Sequence, residues 1–97
     1  MKNILIIAVA LLLYSCGPDI NADFTWSPIN PKAGEPVEFT NLSEGAWGYS
    51  WNFGDMSIGD EKNPKHTYKN PGNYIIDLTA TRGLRSDTKT VTIVVSQ

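Results

Sequence analysis

Apolar and polar positions alternate along most of the chain beyond its first twenty residues, which is the period of strands with one buried and one wet face. The clearest case is Tyr49 to Phe53, where Tyr49, Trp51 and Phe53 fall at every second position with Ser50 and Asn52 between them. Trp51 is therefore the expected centre of the core. Gly54-Asp55 follows as a turn signal, since glycine tolerates positive φ and aspartate bonds nearby backbone. Ala22, Phe24 and Trp26 alternate with Asp23, Thr25 and Ser27 up to Pro28. Val37 and Phe39 alternate with Glu38 and Thr40 after the turn from Pro31 to Pro36. Pro36 lacks an N–H and belongs at a strand start or an edge.

Met56 to Pro64 has no period and reads as a polar loop, and Lys65-His66-Thr67-Tyr68 reads as a short strand. Asn70-Pro71-Gly72-Asn73 is a strong turn signal. Tyr74, Ile76, Leu78 and Ala80 then alternate with Ile75, Asp77, Thr79 and Thr81. Arg82 to Asp87 is predicted to turn the chain into a last strand, in which Lys89, Val91, Ile93 and Val95 alternate with Thr88, Thr90, Thr92 and Val94. Short strands at this spacing, with no amphipathic helical period after Cys16, predict an all-β, two-sheet antiparallel sandwich.

The first residues follow another rule. Lys2 precedes an unbroken apolar run of ten, Ile4 to Leu13, about half of what a membrane-spanning helix needs. This is a secretory leader. Leu13-Tyr14-Ser15-Cys16 resembles the lipobox of bacterial lipoproteins, in which the cysteine is lipidated and becomes the new N-terminus. A lone cysteine in an exported chain has no partner for an internal disulfide, and a lipid thioether accounts for it. The expected division is a signal peptide over residues 1–15, a lipidated tether over 16–21 and a sandwich domain over 22–97. The segment from Gly17 to Asn21 spans at most about 17 Å when extended, so the domain is expected close to its membrane.

Composition narrows the partners. The chain of 97 residues carries a net charge of −2, and loss of the leader leaves seven basic against ten acidic residues, a net charge of −3. With no basic cluster there is nothing to hold a phosphate backbone, so nucleic acid is not an expected partner. His66 is the single histidine and sits in a stretch suited to packing. A nucleophile–base pair would need it beside a serine or thiol with an orienting carboxylate, and no such constellation is legible. The expectation is no catalytic residue, no cofactor and no enzyme. Asp55, Asp60 and Glu61, with Ser57 and Asn63, are the nearest approach to a carboxylate cluster. Their spacing lacks the alternate oxygens of a calcium loop, and no metal is expected. Asn41-Leu42-Ser43 fits a glycan-acceptor pattern that a bacterial lipoprotein would not ordinarily use.

Trp51-Asn52-Phe53-Gly54-Asp55, then His66-Thr67-Tyr68, then Pro71-Gly72 with Tyr74 and an alternating apolar strand, resembles the polycystic kidney disease (PKD) domain, an immunoglobulin-like sandwich. The resemblance implies that Trp51 packs between the sheets with Phe53. It implies that Gly54-Asp55 leaves the central strand, and that His66, Tyr68, Gly72 and Tyr74 fix the corner into the next strand. At Met56 the sequence departs from the family, which usually carries a second glycine there. The function implied is an extracellular spacer or binding module.

Two tryptophans remain. Trp47 lies in the glycine-rich connection Glu44-Gly45-Ala46-Trp47-Gly48, either as a lid on the sandwich end, as a protein contact or as a ring for stacking on a sugar. Trp26 has the phase of Phe24 and is expected to face inward, with a contact role as its alternative. The sequence is read as a cell-envelope lipoprotein, in the outer membrane or at the surface. Its single module contacts another envelope protein as an accessory subunit, and carbohydrate binding is the alternative.

Overall fold

The computed structural model describes residues 19–97. The leader, its cleavage point and Cys16 lie outside the described residues. Among the described residues seven strands form two antiparallel sheets. The first has the order β1-β2-β5, from β1 (Phe24–Ser27), β2 (Pro36–Asn41) and β5 (Lys65–Thr67). The second has the order β4-β3-β6-β7, from β3 (Gly48–Asn52), β4 (Ile58–Gly59), β6 (Gly72–Arg82) and β7 (Arg85–Val95). No helix among the described residues is long and apolar enough to cross a membrane. The all-β sandwich predicted from the alternation is the observed architecture.

Each strand buries one phase of its alternation. Phe24, Val37 and Phe39 point inward from the first sheet, and Trp51, Ile76, Leu78, Ile93 and Val95 from the second. Trp51 is fully buried at the centre. Its ring lies 5.1 Å from Phe24 in an edge-on contact, 5.3 Å from Phe39 and 6.0 Å from Phe53, with which it is stacked. Edge-on and offset contacts set positive ring edges against negative faces, which adds to what area burial alone supplies. The indole N–H donates to the Glu61 carbonyl at 2.7 Å, so burying this polar atom leaves no donor unmet.

Two elements differ from the sequence reading. The predicted turn from Arg82 to Asp87 is only Gly83-Leu84, because Arg82 pairs with Arg85, Thr81 with Ser86 and Ala80 with Asp87. Gly83 at φ 60° supplies the first central position of a two-residue hairpin turn, whose twist matches that of the strands. Both strands run past the edge of the core on main-chain bonds, where no buried face remains to impose a period. The polar loop from Met56 to Pro64 also contains β4, with Gly59 paired to Trp51 and Ile58 to Asn52. Two residues are too few to display an alternation.

The sandwich has two distinguishable ends. Asp19 and the Gly83-Leu84 hairpin tip lie at the near end, where Arg85 Nη2 meets Asp19 Oδ1 at 3.2 Å. Asn21 and Glu44 exchange backbone bonds of 3.0 and 2.9 Å at the same end. The part of the expected tether that is described is thus laid against the domain. The turn after Phe53 and the start of β6 form the far end, about 24 Å away along the seven residue steps from Arg82 to Ile75.

Candidate functional site

The far end is built on a turn. Gly54 has φ 84°, and Asn52 Oδ1 accepts its N–H at 3.0 Å. Asp55 then reaches two partners. Its Oδ1 accepts the Ser57 N–H at 3.1 Å, and its Oδ2 lies 2.7 Å from His66 Nε2. His66 stacks on Phe53 at 4.3 Å and meets Tyr68 edge-on at 4.8 Å. Tyr68 is fully buried and donates its hydroxyl to the Phe53 carbonyl at 2.8 Å, and its ring lies 4.3 Å from that of Tyr74. Burial, and then the charge of Asp55, push the Tyr68 phenol far above its ordinary value, so it stays a donor. This is a corner lock made of aromatic packing and one carboxylate–imidazole hydrogen bond. The serine in it, Ser57, bonds the Asp55 carboxyl and not the imidazole.

Burial alone would raise the Asp55 carboxyl. The hydrogen bond and charge of His66, with the Ser57 N–H, outweigh that and hold it below its ordinary 3.8. A depressed carboxyl stabilises the fold at all pH above the unfolded value and loses that contribution as pH falls through the folded one. Asp55→Asn is therefore expected to lower stability at neutral pH and to flatten the acid limb below about pH 4, in urea titrations carried to about pH 2. An acid limb as steep as that of the parent chain would assign the acid sensitivity to other carboxylates.

Met56, where the resemblance implied a glycine, keeps a glycine-like geometry at φ 73° with its side chain wholly exposed. A left-handed conformation costs an L-residue about 1–2 kcal/mol. Met56→Gly is expected to raise stability by about 0.5–1 kcal/mol, part of the relief being offset by glycine's larger unfolded-state entropy. Chemical denaturation reads this directly.

Several residues singled out in the sequence lie apart from one another. Trp47 is 74% exposed at the near end, with the Arg82 guanidinium 4.8 Å from its ring centre. It forms no lid. Trp26 is half-buried against Phe24, and its indole N–H donates to the Ile29 carbonyl at 3.2 Å. Asp60 and Glu61 are exposed and line a shallow cleft of about 200 Å³ with Phe53, Ile58 and His66. Among the described residues no three His, Cys, Asp or Glu side chains stand close enough to hold a metal. Asn41 is buried; its Oδ1 accepts the Ser43 N–H and its Nδ2 is shut off from solvent, so the glycan-acceptor pattern presents no accessible amide.

The outward face of the second sheet shows what the sequence did not single out. Toward the near end it is a hydroxyl surface, with Thr79 and Thr88 hydrogen-bonded at 3.0 Å and Thr90 donating to Asp77 at 2.6 Å. Toward the far end it turns apolar. Ile75 and Val94 lie on neighbouring strands one diagonal step apart, Ile58 stands on β4 across β3 from them, and Met56 caps the turn. All four are more than half exposed. Ile75 and Val94 occupy the polar phase of their strands, and an apolar residue in that phase was the available signal.

The PKD domain family model matches residues 21–95. The chain belongs to the PKD domain family. Two solved PKD structures resemble it at TM-scores of 0.69 and 0.68. One is the PKD1 domain of Vibrio anguillarum Epp, at 26% identity over 81% of this chain and 95% of that one. The other is the PKD1 domain of the Vibrio cholerae metalloprotease PrtV, at 28% identity over 78% and 95%. A structure of carbohydrate-binding modules from the β-sandwich superfamily, with promiscuous specificity, resembles it at TM-score 0.76 and 34% identity. That match covers 82% of this chain but 35% of the other, so this chain spans about a third of its length. No curated protein sequence matches. PKD domains are generally non-catalytic modules, typically extracellular or at surfaces.

Proposed function

We propose that this PKD module is carried by an exported, lipid-anchored envelope protein and holds another envelope protein as an accessory subunit, without chemistry of its own. The supporting observation is the far-end apolar set of Met56, Ile58, Ile75 and Val94. Its Val94 lies on β7, whose outer edge is bonded to Pro31 and Ala33 at Ser96 and has no strand beside it from Thr88 to Val95 among the described residues. Exposed apolar side chains grouped on one face mark contact surfaces, and an open strand edge adds main-chain donors and acceptors. The leader from Ile4 to Leu13 and the lipobox-like Cys16 support export and anchoring.

The test is recovery from detergent-solubilised membranes. The tagged chain is expected to bring a partner that an Ile75→Glu variant loses about tenfold or more, while the variant, altered on an exposed face, keeps its fold. A tagged chain that comes alone and runs as a monomer in mild detergent ends the accessory reading. A second reading, polysaccharide recognition through the exposed Trp47 ring, is favoured by the likeness to carbohydrate-binding modules. Titrating a polysaccharide panel while following tryptophan fluorescence separates the two, and binding unchanged by Trp47→Ala would count against a sugar site there.

A further inference from the structure

The near end carries apolar residues that the fold does not require. A two-residue hairpin turn with glycine first makes no demand for an apolar second residue, and polar residues are the usual choice at turns. Leu84 nevertheless stands there fully exposed. Trp47 stands just before the start of β3 beside it, 74% exposed, held at its N–H by the Thr81 carbonyl at 2.8 Å and braced by Arg82 at 4.8 Å. Neither ring nor leucine packs on the core cluster.

The chain enters at this same end. Asp19 is paired with Arg85 across the hairpin base, and its carbonyl lies so close to Gly45 that a Cβ there would be 2.6 Å from it. Three residue steps separate Asp19 from Cys16, at most about 11 Å of extended chain. We infer that the near end, with Trp47 and Leu84 foremost and Arg82 beside them, is a bilayer-docking face seated in the headgroup region. The inference rests on the lipid-anchor reading of Cys16.

The chemistry suits that occupant better than a glycan. Tryptophan favours the membrane interface because one end of its ring system is apolar and the other can hydrogen-bond. Arginine keeps its charge at headgroup level while its stem lies on apolar surface. A polysaccharide would have to enter the gap of about 11 Å that the tether allows between module and lipid. Because Asp19 faces Arg85 and Glu44, Asp23 and Asp87 lie on the same end, the face has no net positive field. Docking is then apolar insertion, weakly dependent on anionic lipid. It also sets the orientation: β7 rises from the bilayer and presents the far-end contact surface away from it.

The test uses the full chain purified from membranes and reconstituted in vesicles of phosphatidylethanolamine and phosphatidylglycerol, with and without brominated phosphatidylcholine. Leu84→Cys and, separately, Met56→Cys carry an environment-sensitive fluorophore, both at exposed turn positions where the fold tolerates them. Bromolipid is expected to quench the label at 84 about threefold or more over that at 56, and to quench Trp47 in a Trp26→Phe background. Equal responses at 84 and 56 overturn the docking face. So does a spectral shift at 84 without bromolipid quenching, which would mark a protein contact. Flotation and the mass of the N-terminal peptide separate the premises: a chain without an acyl group that does not float removes the anchor and the docking together. A floating, acylated chain with unquenched label removes the docking alone.

Discussion

Trp51→Ala is expected to destabilise the domain by about 3–5 kcal/mol. The side chain is fully buried and touches three aromatic rings, one from the opposite sheet's β1, one from its β2 and one from the end of its own strand. Truncating a buried tryptophan or phenylalanine costs about 3–5 kcal/mol, the spread reflecting how far the site collapses. Collapse is limited here, because Phe24 and Phe39 are fixed by the β1–β2 ladder and cannot follow the vacated volume. At about 0.05–0.15 kcal/mol per residue, a domain of this size has roughly 4–12 kcal/mol in total. The loss consumes a large part of that reserve. Trp51→Phe separates the contributions: it keeps most of the ring contacts and gives up the bond to the Glu61 carbonyl, so its expected cost is nearer 1–2 kcal/mol. Urea denaturation followed by circular dichroism measures both. Equal costs for the two variants would mean that the hydrogen bond, not the packing, is what Trp51 contributes.

The same residue shows why so much of the sandwich could be read in advance. A strand with one buried face writes its phase into every second residue, and Phe24, Phe39, Trp51, Ile76, Leu78 and Ile93 all carry that phase. Elements held by main-chain pairing alone write nothing. β4 is two residues long, and the outer thirds of the β6–β7 hairpin have no core beneath them. The Asp55–His66 pair was hidden for a different reason. The two residues are eleven apart and meet only because the loop between them folds back beside β3, a juxtaposition with no local signature.

The candidate surfaces were legible only as exceptions. Ile75 and Val94 break the polar phase of strands whose other outward residues are polar or charged, and Leu84 interrupts a turn. Trp47 was visible because a large ring in a glycine-rich segment stands out, but its exposure and its partner Arg82 depend on strand register. Register places Thr81 opposite Gly48 and so carries Arg82 over the ring. Once the near and far ends are separated, the two sets of exceptions need not compete for one ligand. Trp47, Leu84 and Arg82 gather where the chain enters, and Met56, Ile58, Ile75 and Val94 where it is farthest away.

The far end depends on Gly54, and Gly54→Ala is expected to cost about 3 kcal/mol, near the upper end for single substitutions. Two contributions combine. With φ at 84°, any L-residue incurs about 1–2 kcal/mol of left-handed strain. A Cβ would also stand 2.5 Å from the Ile75 carbonyl oxygen and 2.8 Å from its nitrogen, both main-chain atoms of β6 that cannot rotate aside. Relief would require β3 and β6 to part just where Asn52 faces Asp77. Gly34 supplies the control. Its φ of 85° is almost the same, but nothing lies within 4 Å of the position a Cβ would take. Gly34→Ala should therefore cost only the strain, about 1–2 kcal/mol. The difference between the two variants isolates the close approach of the turn to β6. If denaturation midpoints fell equally for both, the clash would be absorbed by the turn and the apolar surface around Ile75 would be mobile rather than a fixed contact face.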